Sequence, residues 1–405
     1  MRLVRRLTTL GIAAALLVSC SSNDEGDTTP STTDADTSST VDGDVSNPET
    51  IAAISAVADG EPFPEDRCTA NREAGTITFL TGFDFAAAAS IVEVINADAL
   101  GYYDELCLDV DIVASFSTAN YPLVASGQGQ FASGGSFSEV VSFSVANDVD
   151  LVAISIAGAT PIDSLMLKPG VLPDGTDLSD PVAAAAALAG TTIGVKGKLP
   201  PSLETLLLEA GLTRGADYET VPVEGFDPVA HMALEGIVGV PGWKSNEPGR
   251  LEREGVEFDL LDPTLADIPG SFGVIFTTRE FIETYPTAAE DFVRATLRGL
   301  QAAIDNPQAA AEAAVELVLA NGNPQFLSPE GEIFRWATEA ALISSRTAAG
   351  TVPGTPDFDA TVAEITAYHG VGLFGDGPVP SIDSYLLPRF AAELTSTSGT
   401  LIWPA

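Results

Sequence analysis

Apolar residues recur along this chain with two periods, and the periods alternate. Thr76–Thr81 (Thr-Ile-Thr-Phe-Leu-Thr) switches between polar and β-branched or aromatic residues, as a half-buried strand does. Ala86–Leu100 then places Ile91, Val94, Ile95 and Leu100 on one side of a helix. Leu108–Val113 returns to strand spacing, and Tyr121–Ser126 suggests a short helix. Gln130–Ser136 reads as strand, turn and helix start, with Ser136 as an N-cap. Val140–Ala146 continues that helix, and Leu151–Ile156 is a further strand. Parallel neighbours need a crossover that packs on the sheet, so this alternation predicts a parallel, doubly wound sheet.

A second series begins near Leu165 and runs to about Gly270. It offers a helix over Pro181–Ala189, a strand over Thr191–Val195, a helix over Leu203–Ala210 and a strand over Tyr218–Val223. Ile237–Val240 is short, β-branched and Gly-bounded, which predicts a strand buried on both faces and stopped by Pro241-Gly242. Ser271–Thr277 is a strand expected to return to the first series. Helices follow over Pro286–Ile304, Pro307–Leu319 and Glu332–Ser344, and near Phe358–Tyr368, with Pro307 suited to a first helical turn. The expected architecture is therefore α/β: two doubly wound lobes joined by a two-strand hinge, with extra C-terminal helices. Lobe I takes residues 62–164 and 271–405, and lobe II takes 165–270. The hinge is expected near Thr160–Leu165 and Pro269–Phe272.

The first 50 residues depart from both periods. Arg2, Arg5 and Arg6 precede an apolar run, Leu7–Val18, too short to span a bilayer as a permanent helix. The run ends Leu17-Val18-Ser19-Cys20, which resembles the lipobox of bacterial lipoproteins. Residues 1–20 are thus expected to be a lipoprotein signal peptide, and the resemblance implies lipidation of Cys20. Residues 21–50 are Ser/Thr-rich and acidic, without Lys or Arg. Such a segment buries too little apolar surface to offset its ordering entropy, so a disordered tether is expected.

Composition narrows the partners. The formal net charge is −39, and the first 50 residues hold only eight acids and three arginines, so most of it falls on the body. Nucleic acid, which requires a basic face, is excluded as a partner. Besides Cys20 there are only Cys68 and Cys107, an even pair in an exported chain, so a disulfide between them is expected. Only two histidines exist, His231 and His369, and they are isolated. No GxSxG, HExxH, P-loop or CxxC motif is present, and Gly127, Gly129 and Gly134 lack dinucleotide spacing. Neither a metal nor a cofactor is expected.

Several segments together carry a resemblance. Ala99–Val113 (Ala-Leu-Gly-Tyr-Tyr-Asp-Glu-Leu-Cys-Leu-Asp-Val-Asp-Ile-Val), Leu188–Val195, Gly225-Phe-Asp-Pro, Trp243-Lys-Ser-Asn-Glu-Pro and Glu290–Leu300 occur in order over roughly Thr76 to Ala320. In this the chain resembles type II, periplasmic-binding-protein-like substrate-binding proteins of ABC importers. More narrowly, it is similar to the group that binds pyrimidine precursors of thiamine, alkanesulfonates, taurine and riboflavin. Two departures stand out. Cys107 replaces the usual Gly, in keeping with a disulfide, and Leu234–Gly239 replaces a Gly-x-Val-Asp-Ala run.

The resemblance implies a monomer that captures a small molecule between its lobes and delivers it to a membrane permease and its ATPase. It places ligand contacts at the loops after the strands. Phe83, Asp84 and Phe85 follow the first strand and suit a flat heterocycle, although the two phenylalanines would also serve a core. Ser133, Gly134, Gly135 and Ser136 offer N–H groups at a helix start, or a plain cap. Lys196 and Lys198 would attract a phosphate or sulfonate, or stay solvated. Trp243, Asn246 and Glu247 form the expected second wall, an aromatic plate with hydrogen-bonding partners. Glu247 favours an amino-bearing pyrimidine over a sulfonate. Ser271 and Phe272 are expected on the cleft floor. The resemblance also extends to fungal pyrimidine synthases with a histidine-rich site, which the two separated histidines here do not reproduce. A binding protein of the cell envelope, tethered outside the cytoplasmic membrane, is the expectation rather than an enzyme.

Overall fold

The computed structural model describes residues 54–83, 87–225, 227–321, 328–387 and 393–405. Among the described residues, ten strands form three sheets: β1 (Thr76–Leu80), β2 (Asp109–Val113), β3 (Phe131–Gly134), β4 (Leu151–Gly158), β5 (Asp163–Leu167), β6 (Thr192–Val195), β7 (Glu219–Pro222), β8 (Gly239–Trp243), β9 (Asp259–Leu261) and β10 (Phe272–Thr278). The first sheet has the order β2-β1-β3-β10-β4. β1 pairs in parallel with β2 and β3, while β10 runs antiparallel to β3 and β4. The reversal has a simple origin. β4 ends at Gly158, and β10 begins beside it at Phe272, so the returning strand runs back along β4.

The second lobe departs further from a parallel sheet. β6 and β7 are parallel, but β5 is flanked by antiparallel β8 and β9. The strand expected over Ile237–Val240 runs instead over Gly239–Trp243, through the Pro241-Gly242 pair that should have stopped it. β8 is an edge of its three-stranded sheet, the position where a missing N–H is tolerated.

Each lobe has its own apolar core. In the first, one side of the sheet buries Phe79, Phe131 and Phe292, the last two rings stacked with centroids 4.0 Å apart. The other side gathers Leu80, Phe137, Val274 and Phe276. In the second, Leu165, Leu167, Ile193, Leu203 and Leu206 form the main cluster. Helix Pro286–Asp305, which follows β10, packs on helix Val92–Ala99. A buried ion cluster anchors this region: Asp291 accepts from Arg67 Nε at 2.6 Å and Arg294 Nε at 3.0 Å. Beside it, Cys68 and Cys107 are joined in a disulfide, with Cα atoms 5.2 Å apart. No helix among the described residues is long and apolar enough to cross a membrane.

Candidate functional site

The ends of β1, β6 and β8 and the start of helix Phe137–Asn147 converge on a cavity of about 650 Å³ between the lobes. From the first lobe come Phe83, Gly135 and Ser136. From the second come Lys196 and Lys198 after β6, and Trp243, Asn246 and Glu247 at the end of β8. Ser271, immediately before β10, also lines the cavity. Nine of the residues expected to contact a ligand therefore share one cavity. Asp84 and Phe85 lie outside the described residues, as does Cys20.

Expectations change for Ser133, Gly134 and Phe272. Ser133 and Gly134 do not line the cavity; they sit within β3, paired with Ile275 and Val274 of β10, and Ser133 is buried. Phe272 turns into the first lobe's core rather than the floor. Ser136 does cap its helix, accepting from the Glu139 N–H at 3.2 Å, so its hydroxyl serves the helix as well as facing the cavity.

The aromatic residues meet across the cleft. Phe83 and Trp243 make an edge-to-face contact, centroids 5.0 Å apart and planes at 88°. Such pairs add about 0.5–1.5 kcal/mol beyond buried area. Glu247 is fully engaged. Its Oε1 accepts from Lys196 Nζ at 2.6 Å, and its Oε2 accepts from the Trp243 N–H at 2.8 Å. The fold-back depends on Gly242, where a Cβ would come within 2.9 Å of the Glu247 Cβ. The Asn246 N–H closes the same turn on the Trp243 carbonyl at 2.8 Å. Lys198 sits exposed at the rim. Lys244 does not line the cavity; its Nζ is bound to Asp262 at 2.8 Å.

Four titratable lining residues escaped the sequence reading. Asp163, the first residue of β5, is paired with Trp243 of β8 and accepts from the Ser202 hydroxyl at 3.2 Å. Burial pushes its carboxyl up to about 7; the Glu139 charge adds to this, while the Ser202 hydroxyl and the Lys244 ammonium oppose it. Glu139 accepts from the Tyr121 hydroxyl at 3.0 Å, and its spacing from Ser136 is the S-x-x-E capping pattern that would have drawn notice. Arg335 and Tyr368 come from C-terminal helices whose local pattern signals only packing. Among the described residues, no group of three or more His, Cys, Asp or Glu is placed to hold a metal. His231 Nε2 contacts the Glu224 carbonyl at 2.9 Å and His369 Nε2 the Gly377 carbonyl at 2.8 Å, both away from the cavity.

The family model described as NMT1/THI5 like matches residues 88–310, more than half of the chain. The chain belongs to the NMT1/THI5-like family. A relative of this NMT1/THI5-like chain is the riboflavin-binding protein RibY of Chloroflexus aurantiacus, 33% identical over 141 residues. That match covers 34% of this chain and 39% of RibY, so the chain spans well under half of its curated relative's length. Two solved structures share the fold. The periplasmic aliphatic sulphonate binding protein SsuA from Escherichia coli has a TM-score of 0.53 at 13% identity, covering 73% of this chain and 90% of its own. The desulfurization enzyme DSZB has a TM-score of 0.52 at 15% identity, covering 78% and 98%. The architecture is thus the periplasmic-binding-protein fold, which a binding protein and an enzyme both use.

Proposed function

We propose that this NMT1/THI5-like protein is the extracytoplasmic solute-binding component of an ABC importer, and that it captures a small heterocyclic molecule by closing its lobes. The observation that carries this reading is the cavity between the lobes, of a size suited to a small molecule, with Phe83 and Trp243 meeting across it. Lobe I, 62–164 and 271–405, and lobe II, 165–270, act as the two rigid bodies. The chain crosses between them twice, and closure is a rotation about those crossings. Residues 1–20 direct export, Cys20 carries the lipid, and 21–50 tether a monomeric body outside the cytoplasmic membrane. A permease and its ATPase receive the ligand. Binding rather than catalysis is supported by the two histidines, each turned to a backbone carbonyl away from the cavity.

A thiamine pyrimidine precursor is the first ligand reading. Asp163 and Glu139 offer acceptor oxygens for ring or amino N–H groups, and Trp243 offers a face for stacking. Riboflavin is the second, favoured by the name of the relative RibY. A sulfonate or taurine is less well supported, because Lys196 is already bound to Glu247. A thermal-shift panel tests the reading. A ligand at a hundred times its dissociation constant adds about 2.7 kcal/mol to stability. A clear rise in melting temperature is expected with a hydroxymethyl- or formylamino-pyrimidine or with riboflavin. A rise with alkanesulfonates alone would overturn the heterocycle.

A further inference from the structure

Helix Pro329–Arg346 lies beyond the 88–310 stretch that carries the family match, yet it ties the lobes together along one side of the cleft. Its first-lobe attachment is direct: Glu332 Oε2 accepts from the Ala89 N–H at 2.7 Å, and the helix packs on Pro307–Ala320. Toward the second lobe, Phe334 covers Gly249, where a Cβ would lie 2.5 Å from the ring. Glu339 Oε1 accepts from two hydroxyls at 2.8 Å, Ser90 of the first lobe and Ser245 of the second. One turn away, Arg335 donates from Nη1 and Nη2 to Asn246 Oδ1 at 3.2 and 3.0 Å.

Arg335 differs from its neighbours in having donors to spare. A guanidinium carries five N–H donors in a rigid fork. Arg335 is 6% exposed and lines the cavity. Among the described residues its acceptors are the one Asn246 oxygen and, at 3.4 Å, Glu332 Oε1. Nε is buried with no acceptor among the described residues. A buried donor without an acceptor is costly, and more so on a charged group. An acceptor brought against the guanidinium as the lobes close would relieve that deficit.

We propose that Arg335 is a latch that reads the ligand: it holds the second lobe through Asn246 and offers its remaining N–H donors to an electronegative oxygen of the bound molecule. Ring carbonyl, carboxylate and sulfonate oxygens all meet this requirement. The coupling route is short. Asn246 shares its turn with Trp243 and Glu247, so a pull on its amide acts on the aromatic wall and on the Lys196–Glu247 pair together. A ligand that lacks the oxygen leaves the guanidinium underused and the lobes less firmly joined. This rests on the reading of the cavity as a cleft that captures a solute.

The test compares wild type, Arg335→Met, Arg335→Lys and Asn246→Ala as full chains, with circular dichroism melts to verify folding. Riboflavin and taurine serve as calorimetric probes, and small-angle scattering reports compaction. For whichever probe binds wild type, Arg335→Met is expected to weaken binding about tenfold or more and to reduce ligand-induced compaction. Arg335→Lys should recover part of each, since it keeps the charge but not the fork. Asn246→Ala should loosen the lobes from the opposite side, and it decides the matter if the Arg335 variants fail to fold. Wild-type affinity and wild-type compaction in Arg335→Met would overturn the latch. Should wild type bind neither probe, the ligand reading fails for those classes, and the latch is judged on the free proteins. A larger radius of gyration in Arg335→Met or Asn246→Ala then supports it, and unchanged radii overturn it.

Discussion

Glu247 carries two arguments in the sequence, as a partner for a ligand amine and as a repeller of sulfonates. In three dimensions both weaken, because Lys196 neutralises it and the Trp243 N–H takes its other oxygen. The acid's main work is to fix the Trp243 turn. Glu247→Gln keeps an acceptor for that N–H while removing the charge that holds Lys196. Affinity for a neutral heterocycle is expected to change less than threefold, and affinity for an alkanesulfonate to rise, both read by calorimetry. A large loss for the heterocycle would return Glu247 to direct contact. Residue types at strand ends were legible because turns there follow strong apolar runs: Phe83, Ser136, Lys196 and Trp243 all reach the cavity. Asp163 was not, because it opens β5 in a Pro-Ile-Asp-Ser stretch with no periodic mark. Arg335 lies about 90 positions from Asn246, and nothing local in the chain signals that meeting.

Among elements, the strands of the first lobe were well marked and those of the second less so. β5 and β9 are short, and the antiparallel pairing of β5 with β8 and with β9 depends on partners far apart in the chain. The run through Pro241-Gly242 misled because edge position, which permits a proline, is a property of the sheet and not of the segment. Two ties hold the N-terminal helix Glu65–Glu73 against the first lobe. The Cys68–Cys107 disulfide closes a loop of sequence separation 39, for which chain-entropy reasoning gives about 4 kcal/mol. Cys68→Ser is expected to lower the melting temperature under oxidising conditions, with little difference once both proteins are reduced. Equal melting in the absence of reductant would contradict a stabilising bond. The second tie is Asp291, fully buried between two arginines. Asp291→Ala leaves Glu290 to serve both guanidinium groups, at a cost of about 3 kcal/mol. Denaturant unfolding reads it, and a change below 1 kcal/mol would show that the cluster relaxes.

For the whole molecule, acidity and pH response follow from the same carboxylates. Burial lifts Glu93 to about 8, with the Glu339 charge adding to it. Burial also lifts Glu339 to about 7, against the Ser245 hydroxyl, Arg335 and the Ser90 hydroxyl. Asp163 is raised to about 7 as well. A raised carboxyl binds its proton more tightly in the folded chain than in the unfolded one. Its contribution is therefore complete below its ordinary value, near 4, and is lost as pH rises through 7 to 8. Melting temperature is expected to fall between pH 5 and pH 8.5, and Glu93→Gln should flatten the upper part of that fall. A melting temperature that climbs across this range would contradict the assignment of these three groups.

The central claim is that the cleft between the lobes binds a flat heterocycle against Trp243. The most direct measurement is calorimetric titration of wild type and Trp243→Ala, side by side, with a hydroxymethyl-aminopyrimidine and with riboflavin. Wild type is expected to saturate at one site per chain with at least one of them. Trp243→Ala should bind that ligand about tenfold more weakly or worse while melting within a few degrees of wild type. Undiminished binding by Trp243→Ala, or wild-type binding of neither heterocycle, would contradict the account.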